Sequence, residues 1–168
     1  MKKMLLLSFA LLATTFVFAQ NAPKAQASPA AKAEGTIGDN AISIAYNQPA
    51  VKGRKIWGAL VPFGEVWRTG ANGATSITLS KDLKIGDKTL PAGRYGLFTI
   101  PTETEWTVVF NSNADQWGAY DYSAKKDVLR VKATSAKSET FNERMTFAVK
   151  DNAIVLMWEN WVVTLKAG

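Results

Sequence analysis

From Glu34 to Gly168 the dominant period of the apolar side chains is two, and this spacing constrains the fold more than any other feature of the chain. Ile42, Ile44 and Tyr46 alternate with Ser43 and Ala45; Thr75, Ile77 and Leu79 alternate with Ser76, Thr78 and Ser80; Met145, Phe147 and Val149 alternate with Arg144, Thr146, Ala148 and Lys150. A period of two sends successive side chains to opposite faces, which predicts antiparallel strands with one dry and one wet face. Tyr95 to Ile100, Trp106 to Phe110 and Ile154 to Trp158 are apolar on both faces and are expected centrally, covered on both sides. Gly86-Asp87-Lys88, Asp151-Asn152 and Glu159-Asn160 read as hairpin breaks, and Pro91-Ala92-Gly93 as a further turn. Roughly eight or nine strands at this spacing predict an all-β fold, an antiparallel two-sheet sandwich or jelly roll, with a flattened barrel as the second architecture. Lys55 to Val61 contains Gly58 and stops at Pro62, so it reads as an irregular turn and not a helix.

The residues before this region follow another logic. Lys2 and Lys3 precede an apolar run from Leu5 to Phe18, and Val17-Phe18-Ala19 offers small residues at a cleavage site before Gln20. Residues 1–19 are expected to be a cleaved signal peptide, too short and too polar at its end for a membrane anchor. With no cysteine at the cleavage site a lipid anchor by that route is excluded, so the expected location is periplasmic or secreted, without membrane insertion. Residues 20–33, rich in Ala, Pro and Gln, read as a flexible linker, which leaves 34–168 as a single domain. From Glu34 onward the chain has 16 basic against 14 acidic residues, too small an excess to argue for nucleic acid.

The composition closes many routes to catalysis. The 168 residues include no cysteine and no histidine, which excludes disulfides, thiolate zinc sites, cysteine nucleophiles and Ser-His-Asp triads. No cofactor is expected. Carboxylates are then the remaining acid–base groups, and Glu65, Asp115 and Asp121 stand in unusual surroundings.

Two stretches carry more than a sandwich needs. Gly53 to Asn72 has no sustained period, yet holds Trp57, Glu65, Trp67, Arg68 and Asn72 among four glycines. A loop this long is either functional or organised by its own packing, with Trp57, Phe63 and Trp67 plugging an open end of the sandwich. The second stretch, Asn111 to Tyr122, alternates Asn111, Asn113 and Asp115 as a calcium loop begins, but Gln116 and Tyr122 occupy the positions where an EF-hand places Gly and Glu, so no metal site is expected. Its Trp117, Tyr120 and Tyr122 beside short polar arms suit a sugar, and would equally suit a protein surface or a capping hairpin. Lys52, Arg54, Lys55 and Arg68 could hold a carboxylate or phosphate, against the plainer reading of solvated turn residues.

The segments VWRTGAN, LPAGRYGLFTIP, EWTVVFN and QWGAYDY, followed by DVLRVKA, together resemble the secreted bacterial family catalogued as domain of unknown function 2911. The resemblance spans nearly all of Gly35 to Gly168 and implies a secreted single β domain of Gram-negative bacteria. It implies no activity, so it transfers no catalytic residue.

The function expected from these residues is non-enzymatic binding of a carbohydrate or cell-envelope component through Trp67, Arg68, Asn72, Trp117 and Tyr120. The alternatives are a carboxylate-dependent, glycosidase-like hydrolase using Glu65 with Asp115 or Asp121, and a protein-interaction domain with a flat aromatic patch.

Overall fold

The computed structural model describes residues 27–168; the predicted leader at 1–19 and residues 20–26 of the predicted linker lie outside the described residues. Nine strands follow in chain order: β1 (Ala30–Ile37), β2 (Asn40–Asn47), β3 (Ser76–Leu79), β4 (Leu83–Ile85), β5 (Lys88–Leu90), β6 (Gly93–Ile100), β7 (Glu105–Asn111), β8 (Asp127–Lys150) and β9 (Ala153–Lys166). Every strand ladder is antiparallel, and the only helical piece among the described residues is a 3-10 turn at Ala124–Lys126. The described residues are therefore all-β, as the period of two predicts. β1 begins four residues before the expected domain start, because Ala30–Ala33 pair with Ile44–Asn47. Their alternation is hidden from a hydropathy pattern by the small size of alanine, although Ala33 joins the core.

Seven strands form one sheet in the order β1-β2-β3-β6-β7-β8-β9, and β4 and β5 form a separate hairpin. The two layers of the sandwich come from this one sheet curling over itself. β8, 24 residues long, pairs through Thr134–Lys137 with Trp161–Thr164 and through Thr146–Lys150 with Ala153–Met157. Between these ladders the register shifts twice, at Lys137/Asn142 and Asn142/Thr146, opposite Glu159 with its φ of 55°. From Lys137 to Thr146 β8 advances nine residues while β9 advances four; extra residues in one strand bend it and increase its twist, so the β8–β9 pair turns from one layer toward the other and β1 returns against β8. Glu159-Asn160 thus lies inside β9, opposite the bulge of β8, and is not the hairpin break expected from sequence. Both features use polar residues that tolerate a positive φ, which is why composition did not separate them. Asp151 and Asn152, with φ of 52° and 53°, do form the two-residue turn between Lys150 and Ala153.

Burial follows the expected faces. Ile42, Ile44 and Tyr46 of β2, and Met145 and Phe147 of β8, point into one apolar core, while Ala45 and Arg144 face solvent. β6 and β7, apolar on both faces, lie centrally. Ile154 to Trp158 are largely buried too, but β9 ends the pairing order, so their cover comes from packing across the curled sheet and not from a strand on each side. Each fully buried Ile, Leu or Phe side chain contributes about 1.5–3 kcal/mol.

The return of β1 onto β8 requires glycine at position 35. A Cβ there would lie 2.6 Å from the Val149 carbonyl oxygen and 2.8 Å from its Cβ. Gly35→Ala should lower stability by about 1–3 kcal/mol in chemical denaturation. Gly73→Ala, whose Cβ would meet nothing nearer than 3.9 Å, should fall within about 0.5 kcal/mol of wild type.

Candidate functional site

Residues 51–73 connect β2 to β3 without a strand of their own, and tryptophans order them. Trp57 stands at the centre of a cluster, with ring centroids 5.0 Å from Trp106, 5.6 Å from Trp158, 5.7 Å from Trp161 and 6.0 Å from Trp67. Trp67 stacks on Trp158 at 5.8 Å and 16°. The plugging role expected for Trp57 and Trp67 is what these contacts describe, and three of the partners come from β7 and β9. Main-chain bonds of Trp67 N–H to Thr99 O (2.8 Å) and of Thr99 N–H to Trp67 O (3.0 Å) fix the loop onto β6.

Just beyond, Thr69 has a φ of 54°, rare for a β-branched residue, and is fully buried. Its hydroxyl bonds to that of Thr99 at 3.0 Å, and its carbonyl accepts the Thr75 hydroxyl at 2.7 Å. Such a conformation costs on the order of 1–3 kcal/mol and persists because its surroundings impose it. It lies immediately after Arg68, whose direction from the loop it helps to set.

The second stretch meets the first through its main chain. Ala74 N–H donates to Gln116 O at 3.0 Å, Gly118 N–H donates to Asn72 O at 3.1 Å, and Gly73 and Trp117 form an antiparallel bridge. Gly118, at φ 63°, is flanked on two sides: an added Cβ would lie 3.1 Å from the Tyr120 ring and 3.8 Å from Arg68 Nη1. Arg68, Asn72, Trp117 and Tyr120 therefore share one end of the domain. Trp117 is 65% and Tyr120 85% exposed, whereas Arg68 and Asn72 are half-buried. Trp67, the fifth expected ligand residue, is half-buried in the tryptophan cluster. The Asn72 side chain also reaches Ser28 O, at 3.5 Å.

The remaining polar residues of the second stretch hold it in place. Asn111 is fully buried; its Nδ2 donates to Ser123 O (3.0 Å) and Asp127 Oδ1 (2.7 Å), and its Oδ1 accepts the Asn113 N–H (3.0 Å). Tyr122 packs on Phe98 and donates its hydroxyl to Asp127 Oδ2 at 2.7 Å, with Arg130 Nε on the same oxygen at 2.8 Å. Burial, then the bond to Asp127, pushes the Tyr122 phenol above its ordinary pKa, so it remains a donor.

Of the expected carboxylates, Asp115 has both oxygens in the fork of Arg94, at 2.6 and 2.7 Å. These bonds hold its carboxyl below the usual carboxylate range. Because its folded pKa is lowered, this pair supports the fold above the ordinary Asp value and loses that support as pH falls through the folded one. Glu65 and Asp121 are exposed. Among the described residues no group of three or more His, Cys, Asp or Glu side chains is gathered as metal ligands.

A cavity of about 170 Å³ adjoins the exposed wall, lined by Ser28, Arg54, Leu60, Trp67, Arg68 and Trp158 among others. Arg68 Nε is buried without a hydrogen-bond partner among the described residues, which costs about 1–3 kcal/mol. Sequence alone did not single out Leu60, Ser28 or Trp158 for this site, since nothing in their spacing brings them together. Lys52 and Lys55, grouped with Arg54 and Arg68 on sequence, do not line it.

The model of the family described as a protein of unknown function (DUF2911) matches residues 28–167. The chain belongs to this family. No curated protein and no solved structure matches it. The DUF2911 match begins at Ser28, two residues before β1, and so takes in every strand and both stretches that build the site.

The Asn111 network gives a test of what orders the DUF2911 domain's second stretch. Asn111→Asp keeps the shape but turns two donors into acceptors facing a carbonyl and a carboxylate. At neutral pH it should cost at least about 3 kcal/mol in denaturant unfolding. Burial and Asp127 would raise the pKa of the introduced acid, so the penalty should grow with rising pH and shrink toward pH values at which the acid is protonated.

Proposed function

We propose that the domain is a non-enzymatic binding module of the cell envelope, exported by the leader read at residues 1–19, which holds a carbohydrate or related envelope component on the wall of Arg68, Asn72, Trp117 and Tyr120. The observation that carries this reading is the main-chain stitching of Gly73–Ala74 to Gln116–Gly118, which sets two widely exposed aromatic rings beside a half-buried arginine. Among the six tryptophans, five close the core and Trp117 alone is turned to solvent. Leaving a ring of that size in water forgoes its burial energy, and a site that recovers it on binding has a reason to do so. Flat apolar faces flanked by amide and guanidinium donors match the alternating apolar and hydroxyl surfaces of a sugar ring. A hydrolase reading draws less support, because Asp115 is held charged by Arg94 and is unsuited to donate a proton.

A glycan array probed with the purified protein, followed by titration under intrinsic fluorescence, tests the proposal. Trp117→Ala and Tyr120→Ala should each weaken the best glycan about tenfold or more, the loss of about 1.4 kcal/mol of contact. Both side chains are exposed, so each variant should unfold within about 0.5 kcal/mol of wild type. Silence across neutral and acidic glycans would remove this reading.

A further inference from the structure

The cavity beside the wall carries positive charge with nothing to balance it. Arg54 and Arg68 both line it and no acidic side chain does. Neither arginine takes part in an ion pair among the described residues. Arg54 is fixed by its own loop, with Nε donating to Val51 O at 3.1 Å and Nη2 to Ala50 O at 2.6 Å, while Nη1 makes no bond among the described residues. Arg68 is positioned by the strained turn at Thr69, and its Nε is buried and unpartnered. Two guanidinium groups with donors in reserve, beside the rings of Trp67 and Trp158, form a site that an oxyanion completes, since arginine binds carboxylate and phosphate through paired N–H donors. A volume of about 170 Å³ is several times the roughly 30 Å³ share of a water molecule. That leaves room for a carboxylate or phosphate with the atoms joining it to a larger body, but not for an oligomer, which would lie outside along Trp117 and Tyr120.

We propose that this cavity is an oxyanion subsite and that the domain's ligand is an acidic sugar, its carboxylate or phosphate seated between Arg54 and Arg68. This rests on the ligand-binding reading of the same end of the domain and adds the charge of what is bound.

The test is a fluorescence titration of the purified protein with four probes: glucose, glucuronate, glucose 6-phosphate and inorganic phosphate. Trp67 and Trp158 line the cavity and report its filling. At least one charged sugar should bind tenfold or more tighter than glucose, and the stronger of the two identifies the oxyanion as carboxylate or phosphate. Arg68→Met keeps the stem and removes the donors; it should abolish the preference while melting no lower than wild type. Arg54→Gln, at an exposed position, should weaken the charged sugar several-fold and serves should the first variant misfold. Glucose binding as tightly as the charged sugars would overturn the oxyanion subsite and leave the aromatic wall standing. Phosphate binding lost in Arg68→Met, without binding of any glycan, would keep the subsite and overturn the wall. Silence from all four probes, or an Arg68→Met protein that retains the preference, would also overturn the inference.

Discussion

The packing of Trp57 against four other indoles is the contact on which the rest of this end of the domain depends. Residues 51–73 form no strand of their own, so their ordering entropy, about 1–2 kcal/mol per residue, is offset by few ladder hydrogen bonds. Aromatic burial must supply the difference. Edge-to-face pairs, such as Trp57 with Trp67, Trp106 and Trp158 at interplanar angles of 70° to 82°, add about 0.5–1.5 kcal/mol each beyond area. The cluster tolerates a cost of its own: the indole N–H groups of Trp57, Trp106 and Trp158 are buried without partners among the described residues. A core that accepts three such donors is held by shape and ring electrostatics, not by hydrogen bonding.

Fixing Trp67 in that cluster has a geometric consequence one residue later. With Trp67 bonded in both directions to Thr99 and Thr69 forced to positive φ, the chain reverses across Arg68 and brings Asn72 and Gly73 to the second stretch. That stretch has its own anchor in Asn111, at the end of β7 where the pairing with β8 slips. The wall is thus the seam between two loops, each rooted in a strand of the central pair β6–β7. A rigid base with a narrow irregular seam places side chains reproducibly without committing them to a strand face.

Much of the fold was legible because period two is a strong signal where one face is wet. β2 and β8 show it residue by residue, and the Asp151-Asn152 turn follows from residues that accept positive φ. Legibility failed where one residue type serves two geometries. Glu159-Asn160 has turn chemistry but sits within β9 opposite a bulge of β8, and Ala30–Ala33 alternates too weakly to reveal a strand. The site was legible by halves. Arg68, Asn72, Trp117 and Tyr120 are together because their irregular loops meet, but composition cannot say which tryptophan is buried, and Trp67 and Trp117 went in opposite directions. Of the cavity only Arg54 and Arg68 were grouped on sequence, together with Lys52 and Lys55, which do not line it; Ser28, Leu60 and Trp158 join them only through the curl of the sheet.

The charges of the domain sharpen the meaning of that cavity. With 16 basic and 14 acidic residues from Glu34 onward, there is no general excess of positive potential to explain arginines without partners. Arg94 has its fork filled by Asp115, and Arg130 is shared between Asp127 and Tyr122. Arg144, on the outer face of β8, donates to Gln48 O and otherwise meets water. Arg68 differs from all of these, because part of its guanidinium is removed from water and matched by no acceptor, although acidic residues are nearly as numerous as basic ones. Burying a donor in that state is unfavourable for the isolated fold. A fold that satisfies Asn111 and Asp127 so completely in the adjoining stretch, yet leaves the Arg68 guanidinium without an acceptor beside an aromatic cavity, places its unmatched charge where an anionic ligand can meet it.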